Sequence, residues 1–182
     1  MGDPAELLAD ARRELARLPA LLDALLCDLD EPTWRTRPRP DEWAPVEIVC
    51  HLRDEETEDF GARVRSILEG AQRFTPVDPE RWAKERRYRE DDPHAALAAF
   101  HARRGSSLEL LATAPPDRLA TSREHRTFGR LSGLDLVAAW VAHDRLHLAQ
   151  LAATLARLWA ERWAPLRSEY AGPIPYAPDT RE

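Results

Sequence analysis

The sequence predicts an all-α protein built as a four-helix bundle. Two observations carry that reading. Four long segments repeat apolar residues at three- and four-residue steps, the spacing of a helix that buries one face. No segment alternates apolar and polar residues as a half-buried strand does, and no internal repeat is visible. Four such segments with one long connection between the second and third make a helix-on-helix domain.

The first segment runs from about Pro4 to Leu29, with Leu7, Leu8, Ala11, Leu15, Leu18, Leu22, Leu25 and Leu29 on its stripe. Pro19 lies inside it and is expected to kink or break it, because proline lacks the amide donor and clashes one turn back. A connector, Glu31 to Pro40, follows; its three prolines disfavour helix before each of them. The second segment starts between Glu42 and Pro45, with Asp41 as the expected cap, and Val46, Val49, Leu52, Phe60, Val64 and Ile67 carry it to Gly70. A polar loop from Phe74 to Arg89 holds Trp82 and Tyr88. Asp92-Pro93 opens the third helix, which Pro115-Pro116 stops; a turn-rich loop then leads to the fourth, from about Leu134 to Trp163. That last helix is apolar on more than one face, as a helix buried between neighbours is. Residues 1–163 therefore form the domain, and 164–182, with four prolines and no period, an extended or surface-wrapped tail.

Bulk properties narrow the function classes. The chain has 182 residues, 32% charged and 43% hydrophobic, a globular balance, with a formal net charge of -6. Lys84 is the only lysine, and the arginines are scattered among acids, so no basic stripe for nucleic acid is present. No apolar run approaches the roughly 20 residues of a membrane span. The start, MGDPAELLADARREL, has no basic region ahead of an apolar block, so no secretory signal is expected. Two cysteines, Cys27 and Cys50, make no disulfide framework and read as core residues in a reducing cytoplasm.

The chemistry is concentrated in VAHDRLHLAQ, residues 141–150. His143 and His147 stand four apart, so on a helix their β-carbons lie about 5–6 Å apart on one side, close enough to converge on one ion. The pair alone reads equally well as two ordinary imidazoles on a helix surface. The protease motif HExxH does not fit, since Asp144 stands where glutamate is required. A third ligand must come from another helix, and Cys50-His-Leu-Arg-Asp-Glu-Glu56 offers His51, with Asp54 and Glu55 three and four residues on to hold an imidazole or a metal-bound water.

The order of RPRPDEWAPVEIVCHLRDEE, Trp82, FHARR and FGRLSGLDLVAAWVAHDRLHLAQL resembles the DinB/YfiT-like superfamily of metalloenzymes over roughly residues 4–160. The resemblance implies an up-down-down-up four-helix bundle. It also implies a divalent metal held by one histidine of the second helix and two of the fourth, by position His51, His143 and His147. Zinc or nickel is the expected ion, with manganese or iron compatible.

Three histidines leave coordination positions open, as a catalytic site does, and a water bound there would have a lowered pKa. Glu55 is the residue expected to position that water; Asp54 reads better as part of a solvated face. Such a site suits a metal-dependent hydrolase acting on a small molecule. It also suits a thiol-dependent S-transferase of the kind the superfamily includes, in which Arg53, Arg103, Arg104 or Arg145 receives the carboxylate of a low-molecular-weight thiol. The alternative is a non-catalytic metal-binding stress or interaction protein, with a homodimer formed through an exposed helix face bearing Trp159 and Trp163. Those two tryptophans fit equally well beneath the tail. Gln150 reads as a pocket residue or a packed amide, His125 as a pocket candidate, and His94 and His101 as surface residues. Trp34, Trp43 and Trp82 are expected to pack connectors onto the bundle, with Trp82 also available as a pocket wall.

Overall fold

A computed structural model describes residues 2–71, 74, 76–125 and 127–174. The first segment splits as its proline requires. Helix α1 (Pro4–Leu15) is capped by Asp3, whose carboxylate accepts from the Ala5 amide, and α2 (Leu18–Leu26) restarts with Pro19 in its first turn. The connector is not helix-free as expected. Asp30 accepts from the Thr33 amide at 2.9 Å and Pro32 occupies the first turn, where no amide is needed, so a short α3 (Glu31–Arg35) forms.

Helix α4 (Pro45–Glu58) is not capped by Asp41. Ala44 is its cap residue, and Glu47 reaches back to accept from the Ala44 amide at 2.9 Å while Arg37 clasps the same carboxylate. The helix expected to run on to Gly70 breaks at Asp59 (φ -118°, ψ -89°) and resumes as α5 (Phe60–Leu68). Gly61 permits the break, because a β-carbon there would run into the Glu56 carbonyl oxygen. In the following loop Asp78-Pro79 starts a short α6 (Pro79–Glu85), and Tyr88 is fully buried.

Helix α7 (Pro93–Thr113) begins as predicted, with Asp92 accepting from the Ala95 amide at 2.7 Å. After α8 (Pro116–Leu119) the chain departs from an all-helical reading. Strands β1 (Ser122–His125) and β2 (Gly129–Ser132) pair antiparallel, Ser122 opposite Ser132. Four-residue strands are too short to show a period in the sequence. Ser132 and Asp135 then hydrogen-bond reciprocally to open α9 (Gly133–Arg162), the longest helix described.

Four arms thus pack together: α1 with α2, α4 with α5, α7, and α9. Helix α4 packs most extensively on α7, and α9 lies against α1, α5 and α4. Two apolar clusters result. One joins Leu18, Leu22, Trp34, Val46, Val49, Phe100 and Leu151; the other joins Leu8, Leu15, Val64, Leu111, Val137 and Trp140. The expected connector packing holds: Trp34 is in the first cluster, with Trp43 and Trp82 packed against it. Cys50 is core, but Cys27 is exposed, because it follows the last buried residue of α2. The start of the tail carries a turn at Glu169–Ala171 and is exposed, with Pro173 and Ile174 beside Arg157 and Ala160 of α9. The remainder of the tail lies outside the described residues. Among the described residues, no helix is long and apolar enough to cross a membrane.

Candidate metal centre

Where the two apolar clusters meet, the interior turns polar. His51 projects from α4, and His143 and His147 project from one face of α9. Their Nε2 atoms form a nearly equilateral triangle: 3.1 Å from His51 to His143, 3.0 Å from His51 to His147, and 3.1 Å from His147 to His143. All three corners lie within about 2.1 Å of a common point just off the triangle's plane, the distance at which imidazole nitrogen binds a divalent transition metal.

The protonation states fit that use. Burial pushes His51 down to about 3 and His143 down to about 2, and it lowers His147 as well, so all three rings are neutral near pH 7. His147 directs its Nδ1–H at the Gln150 Oε1, 2.7 Å away, which leaves its Nε2 as a lone pair facing the other two histidines. Gln150 is therefore more than a packed amide: it fixes a tautomer. Three uncharged nitrogens aimed at one another, from the buried His51 and the half-buried His143 and His147, repel unless a cation stands among them, and the donor set therefore fits a divalent metal. Among the described residues, this is the one group of three metal-ligating side chains so arranged.

Aromatic walls hold the rings in place. The Trp43 ring lies parallel to His147 at 6.5 Å and tilts against His51 at 5.1 Å; Phe60, delivered by the break at Asp59, packs on His143 at 5.0 Å and stacks on Trp140. Phe60 was legible only as a stripe residue.

Of the two carboxylates singled out, Glu55 lies beside the His51 imidazole, whereas Asp54 is not on the solvated face expected for it. Glu55 is buried, and its Oε1 is 3.7 Å from His51 Nδ1, on the side of the ring away from the nitrogen triangle. Burial and then the neighbouring Asp59 push its carboxyl up to about 8. Asp54 is no solvated face. It is 2% exposed and collects Arg53, Arg86, Arg103 and the Tyr88 hydroxyl, pinning α4 to α6 and α7.

Asp144, the residue at the HExxH glutamate position, faces away from the histidines into a buried cluster. Arg104 of α7, only 1% exposed, donates to Asp144 of α9 at 2.6 and 2.9 Å, to Glu56 of α4 at 2.6 and 2.9 Å, and to the Leu15 carbonyl of α1 at 2.8 Å. Its guanidinium lies over the Phe100 and Trp140 rings, one from each apolar cluster. Glu56 was missed in the sequence, where nothing sets it apart from its acidic neighbours.

A cleft of about 470 Å³ opens beside His147. Asp41, Glu42 and Trp43 line one wall, Glu80 of α6 the rim, and Leu146, Gln150, Ala153, Thr154 and Arg157 of α9 the floor. None of the four arginines suggested as thiol receptors is in it. Arg53 and Arg103 are taken by Asp54, Arg104 by the buried cluster, and Arg145 by Glu14. Trp82 is not in its wall either; it stacks with Arg86. His125 lies in the hairpin, where its Nδ1 accepts from the Thr127 and Phe128 amides, while His101 meets Asp23 and His94 is exposed beside Trp34.

The sequence model of the DinB superfamily matches residues 14–151, an interval that contains all three histidines. The chain belongs to the DinB superfamily. Two solved structures share the fold. One is described as "YfiT from Bacillus subtilis is a probable metal-dependent hydrolase with an unusual four-helix bundle topology"; it is 20% identical, with a TM-score of 0.75 over 84% of this chain and 87% of that one. The other, TT2238, described as a four-helix bundle protein, is 23% identical, with a TM-score of 0.59 over 80% of this chain and 98% of its own. No curated protein matches the sequence. For this DinB-superfamily chain the likenesses establish a four-helix bundle.

Proposed function

We propose that this protein is a metal-dependent hydrolase acting on a small molecule, with a divalent ion held by His51, His143 and His147. The observation that carries the proposal is the triangle of three neutral Nε2 atoms, of the buried His51 and the half-buried His143 and His147, beside an open cleft. The description of YfiT as a probable metal-dependent hydrolase supports the same reading. When bound, the ion supplies Lewis acidity and makes a water nucleophile available near neutral pH.

The chain's own residues do the rest. Gln150 keeps the His147 tautomer, while Glu55, its Oε1 3.7 Å from the Nδ1 of His51 and so beyond hydrogen-bonding distance, borders that ring from outside the cleft lining. Trp43 and Phe60 keep the ring faces dry, and the cleft admits substrate along α9. The up-down-down-up order of the arms and a cytoplasmic location belong to this proposal. Thiol-dependent transfer loses the support it drew from the four arginines, since none of them reaches the cleft.

The test is elemental analysis of tag-free protein and of His143→Ala, followed by ester and amide surrogates offered with metal and no thiol. About one ion per chain, lost in the variant, together with thiol-free turnover, is the expected result. Protein that neither carries nor takes up zinc, nickel or manganese would overturn the proposal.

A further inference from the structure

Residues 36–44 link α3 to α4 without helix or strand, yet they form one wall of the cleft and bring Trp43 to the His51 and His147 rings. A bare loop does not hold a ring in one place. Pro38 and Pro40 stiffen the link by fixing φ, and the Glu42 amide donates to the Arg39 carbonyl at 3.1 Å, closing a turn at its tip. Arg37 is the anchor on the α4 side. Its Nε donates to Glu47 Oε2 at 2.7 Å and its Nη1 to the Pro40 carbonyl at 3.0 Å. That anchor ties the link to α4 and leaves it untied from α9, the helix that carries His147.

Glu42, one residue before Trp43, supplies the tie to α9. It pairs with Arg157, and both side chains are sheltered, Glu42 20% and Arg157 10% exposed. Among the described residues, this is the one ion pair between the link and α9. Arg157 also borders a second hollow of about 840 Å³, between the outer end of α9 and the start of the tail, together with Arg39, Ala160 and Ile174. The pair therefore stands between that hollow and the cleft beside His147.

We infer that Glu42 and Arg157 are positioning residues: their ion pair across the outer end of the cleft latches the link to α9, holds Trp43 against His147 and closes the cleft at that end. This rests on the proposed function for what the wall faces, but the position of Trp43 can be read without metal. The ligand histidines project from α4 and α9 and not from the link, so the latch governs the wall rather than the grip on an ion. It also gives the Arg157 guanidinium a partner within the protein.

The test uses full-length, metal-free protein carrying 5-fluorotryptophan, with Trp43→Phe to assign the Trp43 signal among the six tryptophans. Fluorine NMR reads the position of that signal, and its broadening by a soluble gadolinium chelate reads exposure. The unlatched arrangement should gain about fivefold in population when the pair is lost, as removal of an ion pair near the surface gives. In Glu42→Gln and in Arg157→Met the Trp43 signal should therefore move and broaden more under the chelate. The signals of Trp34 and Trp140, fully buried one in each apolar cluster, should stay where they are. The double variant should match the single ones, because the two halves of one pair can be lost only once. Three outcomes would overturn the inference: a Trp43 signal unchanged in either single variant, single effects that add in the double, or equal shifts at Trp34 and Trp140. A protein that shows the Trp43 response yet takes up no metal would keep this inference and lose the hydrolase proposal.

Discussion

At the scale of single residues, the centre depends on which nitrogen of each imidazole carries the proton. Gln150 decides this for His147, so Gln150→Ala should weaken metal affinity by about tenfold, as loss of an outer-shell partner does, and Gln150→Glu should restore it. Chelator competition measures both; equal affinity in wild type and Gln150→Ala would count against the assignment. Asp54 carries a different burden. Burial alone would raise its pKa, but hydrogen bonds from Arg53, Tyr88 and Arg86 outweigh that and hold it at about 2, against 3.8 for a free carboxyl. A carboxyl depressed in the folded state stabilises above the unfolded pKa and loses that stabilisation as pH falls. Its contribution of about 2 kcal/mol is thus complete above pH ~4 and disappears towards pH ~2. Denaturant titrations of wild type and Asp54→Asn across that window should converge at low pH; a gap that stays constant would contradict the assignment.

At the scale of elements, one guanidinium joins all four arms: Arg104 of α7 meets Glu56 of α4, Asp144 of α9 and the Leu15 carbonyl of α1. Removing it leaves two carboxylates buried without a counter-charge, so Arg104→Ala should cost about 3–5 kcal/mol. Replacing the group as a whole, with Arg104→Met, Glu56→Leu and Asp144→Leu together, should recover most of that loss, because burying three charges is itself expensive. Urea unfolding of both variants checks the pair; a triple variant as unstable as the single one would show that the ions do more than satisfy each other. The helix break is equally specific. A β-carbon at Gly61 meets the Glu56 carbonyl, so Gly61→Ala should destabilise by about 1–3 kcal/mol and displace Phe60 from His143. Thermal melting reads the first effect and metal affinity the second.

At the scale of the whole molecule, a ligand bound only by the folded state raises stability by mass action. Zinc or nickel should therefore raise the melting temperature, and chelator or His143→Ala should abolish the rise. Much of this organisation was legible in the sequence. The four arms were visible because each carries a long apolar stripe; the spacing of HxxxH singled out His143 and His147 as a pair, and the family resemblance joined His51 to them. The hairpin was not, because strands of four residues hold too few positions to show alternation. The break at Asp59 was hidden because the stripe from Val46 to Ile67 continues across it. Asp54 and the four arginines were misplaced because sequence gives the sign of a charge and not the direction in which α4 and α7 turn it. The long α9 has one more consequence. His147 and the outer cleft residues share one helix but stand about two to three turns apart, so exchanges at Thr154 or Arg157 should leave the Nε2 triangle where it is. Under the proposed function, a lineage built on this bundle can change its diet by drifting at a few positions of one helix, while the histidine end is inherited intact.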